Sequence, residues 1–234
     1  MNQSAVNQSD EIDTAEKHPR PPMVMAITGA SGAVFATRTL QCLLAAGTEV
    51  HLTISPSGAA VIEQELGYAP NLRRLNIEQL VATLPAWMDS PSHVRASDDA
   101  IARIGSLHYH HYQDYMTPIA SGSFRTAAML ACPCSGSTLS GIARAAASNL
   151  IQRAAEVHLK EQRKLVLVPR ETPLSVFQLE NMQRIAAAGG VILPAMPGWY
   201  HGVETLGDIV DFVVARILDQ VDVDNGLIER WKDS

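Results

Sequence analysis

Short apolar runs that break at small or polar residues and continue into helical patterns recur along the chain. This alternation restricts the fold more than any other feature. MVMAIT (23–28) ends in GASGA (29–33), and an apolar helical stretch follows over about 34–46, closed by Gly47. VHLTIS (50–55) leads into a helix over about 57–66 that carries Glu63 and Glu65. TAAMLAC (126–132) runs into the small-residue turn CPCSGSTLSG (132–141), and NLIQRAAEVHLKEQ (149–162) is amphipathic. KLVLVP (164–169) precedes a helix over about 174–188 that stops at Gly189-Gly190, and VILPA (191–195) precedes the last long helix, 205–221. Strands alternating with helices predict an α/β fold built on a doubly wound parallel sheet in three layers, α/β/α. At 234 residues the chain is long enough for one such domain and short for two.

Composition removes several function classes. The formal net charge is -6 and no Lys/Arg run is present, so no nucleic-acid face is expected. No stretch reaches the ~18 apolar residues of a membrane span. Residues 1–22 are polar and Pro-containing, without the apolar core of a signal peptide, and read as a disordered tail before a domain spanning 23–234. Three cysteines, Cys42, Cys132 and Cys134, fit a reducing compartment and a cytoplasmic location. Between Gly67 and Pro118 the pattern loosens: 85–105 reads as an inserted loop or helical excursion and HYHHY (108–112) as an edge strand. No metal ligand is assigned. One Cys-x-Cys with an intervening proline is a poor zinc site, so Cys132 and Cys134 read as buried thiols, and metal binding is the minor reading of the histidine run.

Strand, GASG and helix together suit a phosphate, because glycines admit close approach and a helix N-terminus offers unpaired N–H groups. The spacing Gly29, Gly32, Val34 lacks the third glycine of the dinucleotide fingerprint, and the second strand ends in Ser55 rather than an acid. A mononucleotide therefore fits better than NAD. A second small-residue turn, Ser135-Gly136-Ser137-Thr138, opens another helix. Two such turns at the C-terminal ends of parallel strands bracket one crevice. The plainer alternatives at this point are a tight turn at 29–33 and a helix cap at 135–138.

The segments TGASGA (28–33), ASGS (120–123), CPCS (132–135), NLIQRAAEVHLKE (149–161), LVLVPRETP (165–173), LENM (179–182), ILPAMPGWYH (192–201) and VDFVVARILD (210–219) occur in this order over nearly all of 24–220. In combination they resemble the UbiX-type flavin prenyltransferases, of the flavin-dependent cysteine decarboxylase superfamily. The resemblance implies a Rossmann-like fold and a large homo-oligomer, a dodecamer, with sites at subunit interfaces. It implies transfer of a dimethylallyl group from the monophosphate to N5 and C6 of reduced FMN, giving prenylated FMN for a UbiD-type decarboxylase. By the same resemblance Gly29, Ala30, Ser31, Ser55, Ser135, Gly136, Ser137, Thr138 and Arg170 bind FMN. Ser121, Arg153, Lys160, Tyr200 and Arg216 surround the prenyl phosphate. Ser31, Glu65 and Glu171 fall on proton-handling positions, with Arg153 and Lys160 assisting phosphate departure. The match lapses at Tyr115, where tryptophan is usual, at Phe124, and over 85–105.

The residues are chemically apt for these roles. Arg153 and Lys160 lie two helical turns apart, so their side chains share a face, the plainer alternative being a solvated face with a Glu156–Lys160 pair. Arg216, flanked by Val213, Val214, Ala215, Ile217 and Leu218, is expected to be partly buried and to need an anionic partner, the plainer alternative being an intrahelical pair with Asp219 or Asp211. Arg170 and Glu171 follow a strand directly and fall at its C-terminal end, the plainer alternative being an exposed turn pair. GWYH (198–201), and Trp231 by analogy, offer aromatic cover. The aspartates Asp98-Asp99 form the only Asp pair, so the aspartate-rich motifs that hold magnesium on a diphosphate are missing and a monophosphate donor without metal is expected. The rival readings are a flavin-dependent decarboxylase of a cysteine conjugate or aromatic acid, and a flavin carrier without chemistry. Pro194-Ala195-Met196-Pro197 lacks the Asn of the cysteine decarboxylase motif.

Overall fold

The computed structural model describes residues 20–88 and 98–229. Trp231, most of the expected tail and the middle of the expected insertion lie outside these residues. Six strands form one parallel sheet in the order β3-β2-β1-β4-β5-β6. They are β1 (Met23–Ile27), β2 (Val50–Ile54), β3 (Leu107–His111), β4 (Ala128–Cys134), β5 (Lys164–Pro169) and β6 (Val191–Ile192). Every residue of β1, β2 and β4 is buried, the pattern of strands covered on both faces. HYHHY does supply the edge strand β3. Only two residues of VILPA hold sheet geometry, because β6 is an edge strand paired with β5 alone.

The helices are α1 (Ala33–Ala45), α2 (Pro56–Leu66), α3 (Ile77–Ala82), α4 (Gly136–Ala143), α5 (Leu150–Lys160), α6 (Val176–Ala187) and α7 (Leu206–Gln220). Part of the loose region is thus helical: α3, and residues 98–102 with Asp98 and Asp99. Two apolar clusters divide the helices between the faces. One gathers Ala36, Leu40, Ile62, Val213 and Ile217 of α1, α2 and α7. The other gathers Leu139, Ile151, Ala154 and Ile185 of α4, α5 and α6. Caps explain most helix starts: Ser55, Asn76, Ser135, Asn149, Ser175 and Thr205 each accept from a first-turn N–H. The first helix differs. Gly32, at φ 114, precedes it in a left-handed conformation that glycine tolerates best, and it brings no side-chain cap.

Buried His158 of α5 donates from Nδ1 to the Ala154 carbonyl (2.7 Å) and accepts the Thr126 hydroxyl at Nε2 (2.8 Å). Burial lowers its pKa below the ordinary value near 6.5. A histidine held neutral in the fold stabilises it fully above the unfolded pKa, and this is lost as pH falls through the lower native value. Thermal melts from pH 8 downwards should show stability declining below about pH 6.5, with the decline shallower in His158→Gln.

Candidate active site

The chain turns one way from β1 to β2 and the other way from β4 to β5, so a crevice opens between the C-terminal ends of β1 and β4. Thr28 spans it: its hydroxyl donates to the Pro133 carbonyl (2.8 Å) and accepts from the Ser135 N–H (2.7 Å). Thr28 was not singled out in the sequence; its signal is a polar residue closing a wholly apolar strand before the glycine turn. Around this bridge lie the two small-residue turns. The Ser135 hydroxyl lies 3.1 Å from that of Ser137 and 3.0 Å from that of Thr138. Ser55 and Ser57 lie 3.1 Å apart at the start of α2. Gly29 faces this pair closely, since a Cβ there would meet Ser57 Cβ at 2.4 Å.

The α1 N-terminus corrects the phosphate-cradle reading of GASG. Two of its N–H groups are occupied: Glu65 Oε2 accepts from Gly32 (2.9 Å) and Ala33 (2.8 Å). Glu65 reaches back from α2 and fills the anion position that the glycine turn leaves uncapped. The hydroxyl groups that open α2 and α4 lie at the same end of the sheet. Arg170 joins the β5 end to the β1 turn by donating from Nε to the Ser31 carbonyl (3.2 Å). Glu171 follows it, exposed, beside a cleft lined by Leu174, Met182, Pro194 and Met196. Gly29, Ala30, Ser31, Glu65, Arg170 and Glu171 are thus brought to one end of the sheet with both serine turns. Burial raises the pKa of both buried thiols, that of Cys134 to about 12, so neither offers a thiolate.

The five prenyl-phosphate candidates divide into two groups. Ser121, Arg153 and Lys160 cluster on the α5 layer. Arg153 donates from Nε to the Ala120 carbonyl (3.1 Å), and Lys160 pairs with Glu161 (2.8 Å) beside Gly122. Arg163, not identified in the sequence, pins the same loop by donating to the Gly122 (2.6 Å) and Phe124 (2.7 Å) carbonyls. Tyr200 and Arg216 lie on the α7 layer: Tyr200 packs edge-on against Phe212, and Arg216 lines a cleft with Val191, Pro194 and Met196 at the β6 edge. The sheet separates the groups. Moreover α5 runs from beside Tyr112, just past the end of β3, back towards the start of β5, so Lys160 lies about 15 Å along the helix from its crevice-end start.

Arg216 also corrects an expectation. Its side chain is 47% exposed and pairs with Asp219 at 2.7 Å, one turn away. Apolar neighbours in sequence do not bury a helical residue when its own position points away from the core. Asp211, on the same helix, instead pairs with Arg38 at 2.8 Å. Trp199 and Tyr200 are likewise exposed.

The family model described as Flavoprotein matches residues 11–218. The flavin prenyltransferase UbiX of Alkalihalophilus pseudofirmus is 43% identical over 209 residues, covering 89% of this chain and 95% of its own. The chain belongs to the UbiX flavin prenyltransferase family. Two solved structures of UbiX-type proteins share its fold. One is AnUbiX (PadA1) in complex with FMN and dimethylallyl pyrophosphate, with TM-score 0.74, 37% identity, and coverage of 92% of this chain and 99% of that one. The other is a dodecameric FMN-dependent UbiX-like decarboxylase from Escherichia coli O157:H7, with TM-score 0.72, 38% identity, and coverage of 90% and 99%. Across this UbiX family match the Rossmann-like, parallel α/β architecture holds. Among the described residues no helix is long and apolar enough to cross a membrane.

Proposed function

We propose that this chain transfers a dimethylallyl group from dimethylallyl monophosphate to reduced FMN, forming prenylated FMN, at a site completed by a second copy of the chain. The observation that carries the reading is the division of labour in the geometry. The crevice gathers hydroxyl donors, Arg170 and two carboxylates, while Lys160 and Arg216, two of the candidate phosphate cations, stand on opposite layers of the same protomer. A neighbour's cations facing the crevice would resolve that separation. Exposed Phe177, Trp199, Tyr200 and Leu206 support such an assembly, a homo-oligomer of the size named for the Escherichia coli relative.

The crevice is chemically suited to a phosphorylated flavin. Ser55, Ser135, Ser137 and Thr138 offer hydroxyls, and Gly136 and Ser137 add first-turn N–H groups with no acceptor among the described residues. Gly29, Ala30 and Ser31 form the floor, tied to Arg170. Reduced flavin supplies electron-rich N5 and C6 for bonding to carbon. The protein's work is on the other partner. Ser121, Arg153, Lys160, Tyr200 and Arg216 bind the ester's phosphate and stabilise the charge that grows as the allylic C–O bond breaks. Ring closure needs a proton delivered to the allyl double bond and one removed from C6. Glu171 with Ser31 serves the delivery, and Glu65, held on the α1 N-terminus, serves the removal or orients the ring.

Residues 23–234 act as one flavin-binding prenyltransferase domain, with residues 1–22 outside it. The product serves a UbiD-type decarboxylase, and the protein works in the cytoplasm. Inorganic phosphate release tests the function. With reduced FMN and the monophosphate ester under anaerobic conditions, one phosphate should appear for each flavin consumed. Release of carbon dioxide from an aromatic acid by this chain alone, without phosphate release from the ester, would establish the decarboxylase reading instead.

A further inference from the structure

The histidines of the edge strand are chemistry-bearing residues that prenyl transfer does not use. Side chains alternate along a strand, so Glu49 and His51 share one face, as do His108 and His110. The parallel register sets His51 beside His108, which brings both pairs together on the outer strands. Glu49 Oε1 lies 3.3 Å from His51 Nε2 and 3.3 Å from His108 Nε2. All three potential ligand atoms lie within 4.8 Å of one another.

Zinc binds imidazole nitrogen and carboxylate oxygen at about 2.0–2.2 Å, which places neighbouring ligand atoms of a tetrahedron about 3.3–3.5 Å apart. Two edges of the triangle already have that length. The third closes by rotation of the half-exposed His108 side chain. His51 is set for ligation: Nδ1 lies 2.8 Å from His110 Nε2, its ring stacks on His110 and Phe124 packs against it edge-on. A neutral His51 donating from Nδ1 to His110 presents the Nε2 lone pair towards Glu49, the arrangement that orients metal-bound histidines.

We propose that Glu49, His51 and His108 bind one divalent cation of the zinc class, with His110 positioning His51 and the remaining coordination position open to solvent. Two imidazoles and one carboxylate favour such borderline ions over magnesium, which prefers all-oxygen sites. The ligands come from the residue before β2, from β2 and from β3, so the ion ties the edge strand to its neighbour. The site adjoins the N-terminal ends of the strands, away from the flavin crevice.

The test uses the full chain, stripped with EDTA and dialysed free of it, titrated with zinc chloride and followed by calorimetry and thermal melting. One zinc per chain is expected, with the melting temperature raised by roughly 5–10 °C at hundredfold excess over Kd. Magnesium chloride should give no shift. His108→Ala, at a half-exposed position, should fold and lose the shift, and Glu49→Gln should weaken binding at least about tenfold. Absence of saturable zinc binding overturns the proposal and leaves the cluster a set of histidine–glutamate side-chain contacts. Undiminished zinc binding by His108→Ala also overturns it, because the ion would then sit elsewhere on the chain.

Discussion

Alanine at Arg153 or at Arg216 should each slow phosphate release by roughly 10²–10³-fold, the usual cost of removing one preorganised charge stabiliser, and mixing the two purified variants as subunits should restore activity. On the proposed function the ester's phosphate leaves with a growing negative charge, and both guanidinium groups stabilise it. Arg153 lies on α5 and Arg216 on α7, in layers separated by the sheet. If a complete site takes Arg153 from one chain and Arg216 from another, random mixing makes about a quarter of the sites whole. If both residues served the same chain's crevice, every site in the mixture would carry a lesion and no activity would return. Dissociation and reassembly before the assay, with an unmixed sample of each variant carried alongside, separates exchange from simple recovery.

Asp211→Ala should be the most damaging single change to stability, at about 3–5 kcal/mol, because it strands a buried charge. Arg38 donates to Asp211 through Nε (2.8 Å) and Nη2 (3.1 Å), and both residues are buried. The pair joins α1, which follows the glycine turn, to α7, which carries Arg216 and supports Tyr200 through Phe212. For a chain of this size the loss corresponds to a fall in melting temperature of roughly 6–20 °C. Replacing both partners together, Arg38→Met with Asp211→Leu, should recover most of it, since no unpaired charge remains. A double replacement as damaging as Asp211→Ala would show that shape, rather than charge pairing, sets the cost.

The architecture was legible because apolar runs, glycine stops and capping residues act locally. Met23–Ile27, Ser55 and Ser135 report their roles within a few residues of sequence. The misreadings arose where geometry joins distant segments or rotates a side chain. Arg216 stands among apolar residues in the sequence, yet the helical period turns it outward while Val213, Val214, Ile217 and Leu218 turn in. The glycine turn looked like an open phosphate cradle, yet Glu65, 33 positions beyond Gly32, closes it. Thr28 and Arg163 act through carbonyls far along the chain, which no local pattern announces. The separation of Lys160 from Glu171 depends on the antiparallel course of α5, which its heptad spacing from Arg153 does not reveal.

The mass of the flavin after anaerobic incubation of the protein with reduced FMN and dimethylallyl monophosphate tests the account most directly. A gain of one C5H8 unit, undiminished by EDTA and lost in Glu171→Gln, is the predicted result. Flavin of unchanged mass after prolonged incubation, with the ester intact, would contradict it.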